Sequence, residues 1–358
     1  MPKIDPRLSI APMMNWTDRH CRVFHRLLSK KTLLYSEMIN TGAIIHGNRD
    51  RLLKFSQIEH PLALQLGGSN PKELAEASKI GKDFGYDEIN LNLGCPSNRV
   101  QSGCFGAALM KEPNLVYQCI SQMKKEVKNT KITVKCRLGI DEQDPESILP
   151  EFLGYLIDSG VDGVIIHARK AILNGLTPKE NRDIPPLNYG LVNRMKKKFP
   201  KMEVVINGGV DSLSMVNQFL DSGLNGVMIG RAAYKNPSEI LLLADEEIFK
   251  EKFSVLAAIK QFTFPEEYSK NYAVVIDKKY KTIRNSIEKS DEIMKRRYDK
   301  RVNHLSWCNH QILFNCCLKF INGDKDFSYD EFEYKFLKLD EAFHSETYES
   351  TKLSFIYD

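Results

Sequence analysis

Apolar positions in the first two thirds of the chain fall into short runs, each closed by a glycine, an asparagine or a charged residue and followed by a segment with helical spacing. The runs are "RLSIAPM" (7–13), "TLLYSEM" (32–38), "PLALQLG" (61–67), "EINLNLG" (88–94), "KITVKCR" (131–137), "GVIIHAR" (163–169), "EVVINGG" (203–209) and "GVMIGRA" (226–232), and each reads as a strand. Between them, "SNPKELAEASKIGKDFG" has Asn70 as N-cap, Pro71 at the first helical position and Glu73 as capping partner, with Leu74, Ala77, Ile80 and Phe84 at helical spacing. "EPNLVYQCISQMKKEV" places Leu115, Cys119, Met123 and Val127 four apart, which makes Cys119 a core residue. "DSLSMVNQFLDSG" opens on Asp211 as N-cap, ends near Gly223 and turns Leu213, Val216 and Leu220 inward. Strands alternating with helices predict parallel βαβ units, and eight of them predict an α/β fold of the (β/α)8 TIM-barrel type over a doubly wound sheet.

That topology says where chemistry belongs. A barrel builds its active site at the carboxyl ends of its strands, from residues on several different loops. The distinctive polar residues collect there: Met13 and Met14 after the first strand, Gln65 on the third, and Asn92 with Cys95 after the fourth. Lys135 and Arg137 end the fifth strand, His167 the sixth with Arg169 and Lys170 behind it, Asn207 with Gly208 and Gly209 the seventh, and Gly230 with Arg231 the eighth. Cations at the ends of apolar strands are costly to desolvate unless they meet an anion or a polar ligand.

The last two strand ends point to one ligand group. "INGG" and "IGRA" offer backbone N–H groups uncovered by side chains with a guanidinium beside them, where barrels commonly bind phosphate. A phosphate tether, with the Gln65 amide and the Lys135 ammonium deeper in the mouth, fits flavin mononucleotide (FMN). Cys95 stands between Gly94 and Pro96 on the turn after the fourth strand, a placement that suits a reactive thiol better than a packing residue.

The motifs "APMMNWTD" (11–18), "QLGGSNP" (65–71), "INLNLGCPSNRVQSGCFGAALM" (89–110), "VKCRLGID" (134–141), "IHARKAILNGLTPKENRDIPPLNY" (166–189), "NGGV" (207–210) and "MIGRAAY" (228–234) resemble the tRNA-dihydrouridine synthases, most of all the subfamily reducing D-loop uridines at positions 20/20a. The resemblance runs from about Arg7 to Ile240. It implies that NADPH reduces FMN, that reduced FMN gives hydride to C6 of a uridine in tRNA, and that Cys95 protonates C5. An ordinary thiol, with a pKa of about 8.5, is protonated at neutral pH and serves as an acid without activation. By position, Gln65 and Lys135 would hold the flavin ring, Ala11, Pro12 and Met13 would line it, and Asn207, Gly208, Gly209, Gly230 and Arg231 would hold its phosphate. Asn92, His167 and Arg169 would hold the uracil edge and adjacent phosphates, with His167 also among the cofactor contacts, and Arg137 and Lys170 are further substrate-side cations. Cys136 alternates with Lys135 on its strand and points the other way, so it and Cys104 read as non-catalytic.

Composition and charge change the picture only beyond the barrel. At 358 residues and 42% hydrophobic the chain accommodates a barrel of residues 1–245 and a second, smaller domain over 246–358. The resemblance implies that the second domain is an all-α helical bundle that helps hold the tRNA at its D-loop and elbow. The net charge of +5 is unevenly spread: Lys270 to Asn303 carries eleven Lys or Arg against five Asp or Glu, with Tyr272, Tyr280 and Tyr298 among them. Such a stretch suits phosphate contact and base stacking, or equally a solvated helix face. From Asp324 to Glu349 nine acidic residues oppose three lysines, an end expected to face away from RNA. Eight cysteines are too sparse for a disulfide scaffold, and no apolar run of ~18 residues occurs, so a cytoplasmic monomer with reduced thiols is expected. Cys308, His310, Cys316 and Cys317 lack a zinc spacing and read as helical core, so no metal site is expected. Two other readings stay open at this level: a flavin-dependent barrel reductase of a free small molecule, and a tRNA-binding protein without catalysis.

Overall fold

The computed structural model describes residues 4–97, 103 and 105–252. Within them all eight expected strands form: β1 (Leu8–Ile10), β2 (Leu34–Asn40), β3 (Leu62–Gly67), β4 (Glu88–Leu93), β5 (Lys131–Arg137), β6 (Gly163–His167), β7 (Glu203–Asn207) and β8 (Gly226–Ile229). The helices between and after them are α1 (Arg19–Leu28), α2 (Thr41–His46), α3 (Arg49–Leu53), α4 (Pro71–Asp83), α5 (Pro113–Glu126), α6 (Pro145–Asp158), α7 (Tyr189–Lys198), α8 (Leu213–Asp221), α9 (Arg231–Lys235), α10 (Pro237–Leu241) and α11 (Ala244–Glu247). The strands pair in parallel in the order β1-β8-β7-β6-β5-β4-β3-β2. A parallel bridge from Ser9 to Leu33 joins β1 to the approach to β2, with Ile10 N donating to Leu33 O at 2.9 Å, and brings the two edges of the sheet together as a barrel.

The two-residue period of each strand divides its side chains between barrel interior and helical shell. Leu64 and Ile89 face outward, where a Cβ added to Gly81 of α4 would meet Leu64 Cδ2 at 2.5 Å and Ile89 Cδ1 at 2.9 Å. Ala11, Tyr35, Ala63, Ile165, Val205 and Met228 meet as an interior cluster. The register then sets Asn92 beside Lys135 and, two residues further along β5, Arg137 beside His167, with His167 beside Asn207, all at the carboxyl ends.

Helix starts follow local chemistry with two adjustments. Asn70 accepts from Lys72 N at 3.0 Å and Glu73 N at 3.3 Å, as expected of the cap of α4. Glu73 does not complete a capping box; its carboxylate instead accepts from Thr41 Oγ1 at 3.1 Å on α2. In α8 the cap is Ser212, in extended conformation and accepting from Met215 N, so the helix begins one residue later than expected of Asp211 and buries Phe219 more fully than Leu220. Cys119 is fully buried, as its spacing predicts.

The chain stays with the barrel through residue 252. Asp245 of α11 accepts from Ser29 Oγ at 2.6 Å and Lys30 N at 2.6 Å, and Arg7 donates to Ile248 O at 2.7 Å and lies over the Phe249 ring. The chain divides into two units, residues 1–253 and 254–358. The expected helical bundle, the basic and acidic stretches, Cys104, and Cys308, His310, Cys316 and Cys317 all lie outside the described residues. Among the described residues no helix is long and apolar enough to cross a membrane, and no group of three or more His, Cys, Asp or Glu is placed to hold a metal ion.

Candidate active site

Lys135 stands at the barrel mouth between Asn92 on β4 and the β6–β7 side. Its Nζ donates to Asn207 Oδ1 at 2.9 Å, and Asn207 Nδ2 donates to Met228 O at 2.8 Å, so β5, β7 and β8 converge on one ammonium. Among the described residues no carboxylate pairs with it. Burial, and behind it the neighbouring Arg137 charge, bring Lys135 down to about 7. His167 is driven well below the usual histidine range, first by burial and then by Arg137, Lys135 and Arg169, so it is a neutral imidazole at pH 7. Gly208, with φ of 111°, lets the chain turn tightly under that ring: an added Cβ would meet His167 Cδ2 at 2.5 Å and Nε2 at 2.9 Å. Tyr189 Oη donates to Gly208 O at 2.8 Å and fixes the turn from outside.

The Cys95 turn is held from two sides. Asn92 Oδ1 accepts from Gly94 N at 3.1 Å and Cys95 N at 3.0 Å, a side-chain cap on the turn that follows β4. Arg137, expected from sequence as a substrate contact, donates to Gly94 O at 3.2 Å, Lys170 O at 3.2 Å and Asn181 O at 2.9 Å. It ties the Cys95 turn to the long loop after β6, and burial lowers it to about 10. The half-buried Cys95 Sγ lies 3.5 Å from Ser97 Oγ. Cys136 points away from the mouth, fully buried, and burial pushes it up to about 12, which suits packing and not chemistry.

The remaining expected residues surround this centre unevenly. Gln65 Oε1 accepts from Asn92 Nδ2 at 2.9 Å, joining the two amides. Arg169 donates to Pro185 O, while its buried Nε has no hydrogen-bond partner among the described residues, which suits an anionic ligand. A Cβ at Gly230 would meet only Ala11 Cβ at 3.8 Å and Met13 Sδ at 3.9 Å, so the start of α9 is open toward the segment of Ala11, Pro12 and Met13. The Met13 N–H itself is taken by Thr17 Oγ1 at 3.0 Å. Arg231 is half-exposed and paired with Asp183 at 2.8 Å. Lys170 gives its carbonyl to Arg137 and lines a separate, largely apolar groove of about 360 Å³ with Leu138, Ile172 and Ile184; of the expected site residues it alone lines that groove.

Sequence reasoning missed Arg182, whose charge helps depress both Arg137 and His167. It stands in "KENRD", where an arginine within a long loop has no periodic signal. The convergence of Lys135, Arg137, Arg169 and Arg182 on one mouth, with a buried unpaired N–H and open glycine backbone beside it, fits an anionic cofactor with a polar ring. A parallel barrel with amides, an uncompensated ammonium and a thiol turn at its carboxyl end is a TIM-barrel enzyme site, and the fold is shared with known enzymes. The old yellow enzyme homologue from Zymomonas mobilis superposes with a TM-score of 0.50 at 14% identity, over 74% of this chain and 94% of that one, a likeness of fold alone.

Sequence comparison makes the assignment narrower. The family model described as Dihydrouridine synthase (Dus) matches residues 9–316, and the chain belongs to that family. The match reaches past the quoted motifs, which stop near Ile240, into the second unit. The tRNA-dihydrouridine(20/20a) synthase of Vibrio vulnificus (strain CMCP6) is 55% identical over 244 residues, 68% of this chain and 74% of that protein. The protein of the same description from Salmonella typhi is 54% identical over 244 residues, 68% of this chain and 72% of that one. Membership of the family implies a flavin cofactor, which the donor set just described fits.

Proposed function

We propose that the protein is a tRNA-dihydrouridine synthase that reduces D-loop uridine at positions 20/20a, with FMN as resident cofactor and NADPH as reductant. The reading rests above all on one observation: a thiol on a turn pinned by Asn92 and Arg137, at the mouth where the half-buried Lys135 is bonded to Asn207 and, among the described residues, to no carboxylate. The names of relatives at more than half identity supply the substrate and its position.

When bound, FMN supplies the hydride that adds to C6 of the uracil ring. The chain's own residues do the rest. Lys135 and Gln65 would hold the ring edge together with Asn207, expected at the phosphate but bonded to Lys135; Arg169, expected on the substrate side but with an unpaired Nε, would join the glycine backbone at residues 208, 209 and 230 at the phosphate end; and neutral His167 would offer an N–H without adding charge. Cys95 delivers the proton to C5 as a thiol, so one hydride and one proton give 5,6-dihydrouracil and leave a thiolate that solvent reprotonates. Asn92 and Arg137 hold the turn so that this proton arrives at a fixed position. A uridine in folded tRNA must leave its stack to reach the mouth, which costs a few kcal/mol that backbone contacts elsewhere offset. Acting on tRNA, the enzyme works in the cytoplasm, and the single barrel mouth needs no second copy.

The test is dihydrouridine mapping in tRNA from a strain lacking the gene, with complementation by the wild type and by Cys95→Ala. Loss at positions 20/20a that only the wild type restores is expected. Dihydrouridine unchanged at those positions overturns the assignment, and loss at another position moves it to a different member of the family.

A further inference from the structure

The barrel interior is part apolar and part polar. Ile165, Val205, Met228 and Ala63 fill it as hydrocarbon, whereas Glu88 and Asn90 of β4, Gln65 of β3 and Thr133 of β5 are polar side chains buried at comparable depth. Buried polar groups are costly unless each is paired, and hydrocarbon was available here as the alternative. Apart from Glu88 Oε2, which has no hydrogen-bond partner among the described residues, these groups are paired, and all in one direction. Thr133 Oγ1 donates to Glu88 Oε1, so its oxygen accepts from Asn90 Nδ2 at 2.8 Å. Asn90 Oδ1 accepts from Gln65 Nε2 at 2.9 Å, and Gln65 Oε1 accepts from Asn92 Nδ2 at 2.9 Å. Asn92 Oδ1 then receives the N–H groups of Gly94 and Cys95.

The upper end forces that direction, since backbone N–H groups can only donate; at the lower end Glu88 Oε1 accepts from Thr133, and burial raises this carboxyl above the usual carboxylate range while Lys131 opposes the rise. Lys131, 3.6 Å from Glu88 and 2.6 Å from Glu203, supplies the countercharge at the floor. Tyr35 Oη also donates to Glu88 Oε1, at 2.6 Å, but lies off the chain of amides. Resting on the activity proposed above, we infer that Glu88, Thr133 and Asn90 are positioning residues for dihydrouridine formation: an oriented relay that locks the amides of Gln65 and Asn92 and, through Asn92 Oδ1, the turn carrying Cys95. With its oxygen held by two backbone N–H groups, Asn92 meets a ligand through its remaining N–H, so the ring atom it selects is an acceptor such as a uracil carbonyl.

The experiment uses the flavin-loaded enzyme and follows two rates, flavin reduction by NADPH and reoxidation of the reduced flavin by tRNA. Thr133→Val, which keeps shape and removes the hydroxyl, is expected to slow reoxidation about tenfold relative to reduction; Thr133→Ser brings the ratio back to within about twofold, and Tyr35→Phe leaves it there. A wild-type ratio in Thr133→Val, or an equal loss in Tyr35→Phe, overturns the relay. Should Thr133→Val fail to fold, Glu88→Gln is read in the same way, and no selective slowing of reoxidation overturns it. A wild type that forms no dihydrouridine sinks the proposed function instead. The relay is then judged from hydrogen exchange at the Asn92 and Gln65 side-chain amides, slow in the wild type and fast in the variant, with equal exchange counting against it.

Discussion

Flavin binding should be coupled to proton uptake at Lys135. In the ligand-free mouth, burial and the Arg137 charge hold this ammonium at about 7. An anionic phosphate and an electron-rich ring favour the charged form and return it toward the ordinary value of about 10.4. A group with a pKa of about 7 is already about nine-tenths protonated at pH 6, half at pH 7 and about one-tenth at pH 8. Binding therefore takes up roughly 0.1 proton at pH 6, 0.5 at pH 7 and 0.9 at pH 8. The sign follows: because the complex holds more protons than the free protein, affinity falls as pH rises, about fivefold from pH 7 to 8 and about ninefold from pH 8 to 9. The assay is titration calorimetry of FMN into flavin-stripped protein, in two buffers of different ionisation enthalpy at each pH. Lys135→Met serves as reference, since it cancels protons exchanged by the flavin phosphate, whose second pKa is about 6. Equal uptake in the wild type and Lys135→Met at pH 8, or uptake that shrinks from pH 6 to 8, would refute the assignment of this lysine to the cofactor.

Three further outcomes follow from the same geometry. Cys95→Ala should keep flavin content and NADPH oxidation while dihydrouridine formation falls about 10²-fold or more in single-turnover assays; unchanged product removes the thiol from the reaction. Gly208→Ala forces a Cβ into the His167 ring and a residue with φ of 111° out of its favoured region, so about 3 kcal/mol of stability and most flavin binding should be lost, read by thermal melts and flavin absorbance. Arg137→Leu leaves the carbonyls of Gly94, Lys170 and Asn181 without their donor. It should cost about 3 kcal/mol and lower kcat more than it raises KM for tRNA, whereas a pure KM effect would return Arg137 to the substrate-contact role expected from sequence.

The barrel and the identity of its central residues were legible in the chain because the signals that carry them are local. A run such as "KITVKCR" alternates by itself, so Lys135 and Cys136 fall on opposite faces whatever surrounds them, and the structure places them so. Caps, glycine turns and the thiol turn after β4 are likewise set within a few residues. One local signal went unused. "EINLNLG" alternates Glu88, Asn90 and Asn92 with leucine and isoleucine, whereas a parallel strand covered on both faces ordinarily reads as continuously apolar, so polar business inside the barrel was already written there.

What the sequence by itself determined, then, is eight strands, their inward and outward faces, and which cations, amides and thiol stand at their carboxyl ends. Tertiary structure alone decided what those groups do to one another. Gln65 meets Asn90 across 25 residues, Asn90 meets Thr133 across 43, and Lys135 meets Asn207 across 72. Arg137 and Arg231, identical in chemistry and both expected at ligands, were separated by their surroundings: one is buried under three carbonyls, the other paired with Asp183 at the surface. The physical reason is that a hydrogen bond's direction and a cation's proton affinity depend on what lies opposite and how much water is excluded, and in a closed parallel barrel both are fixed by register between strands that are remote in the chain.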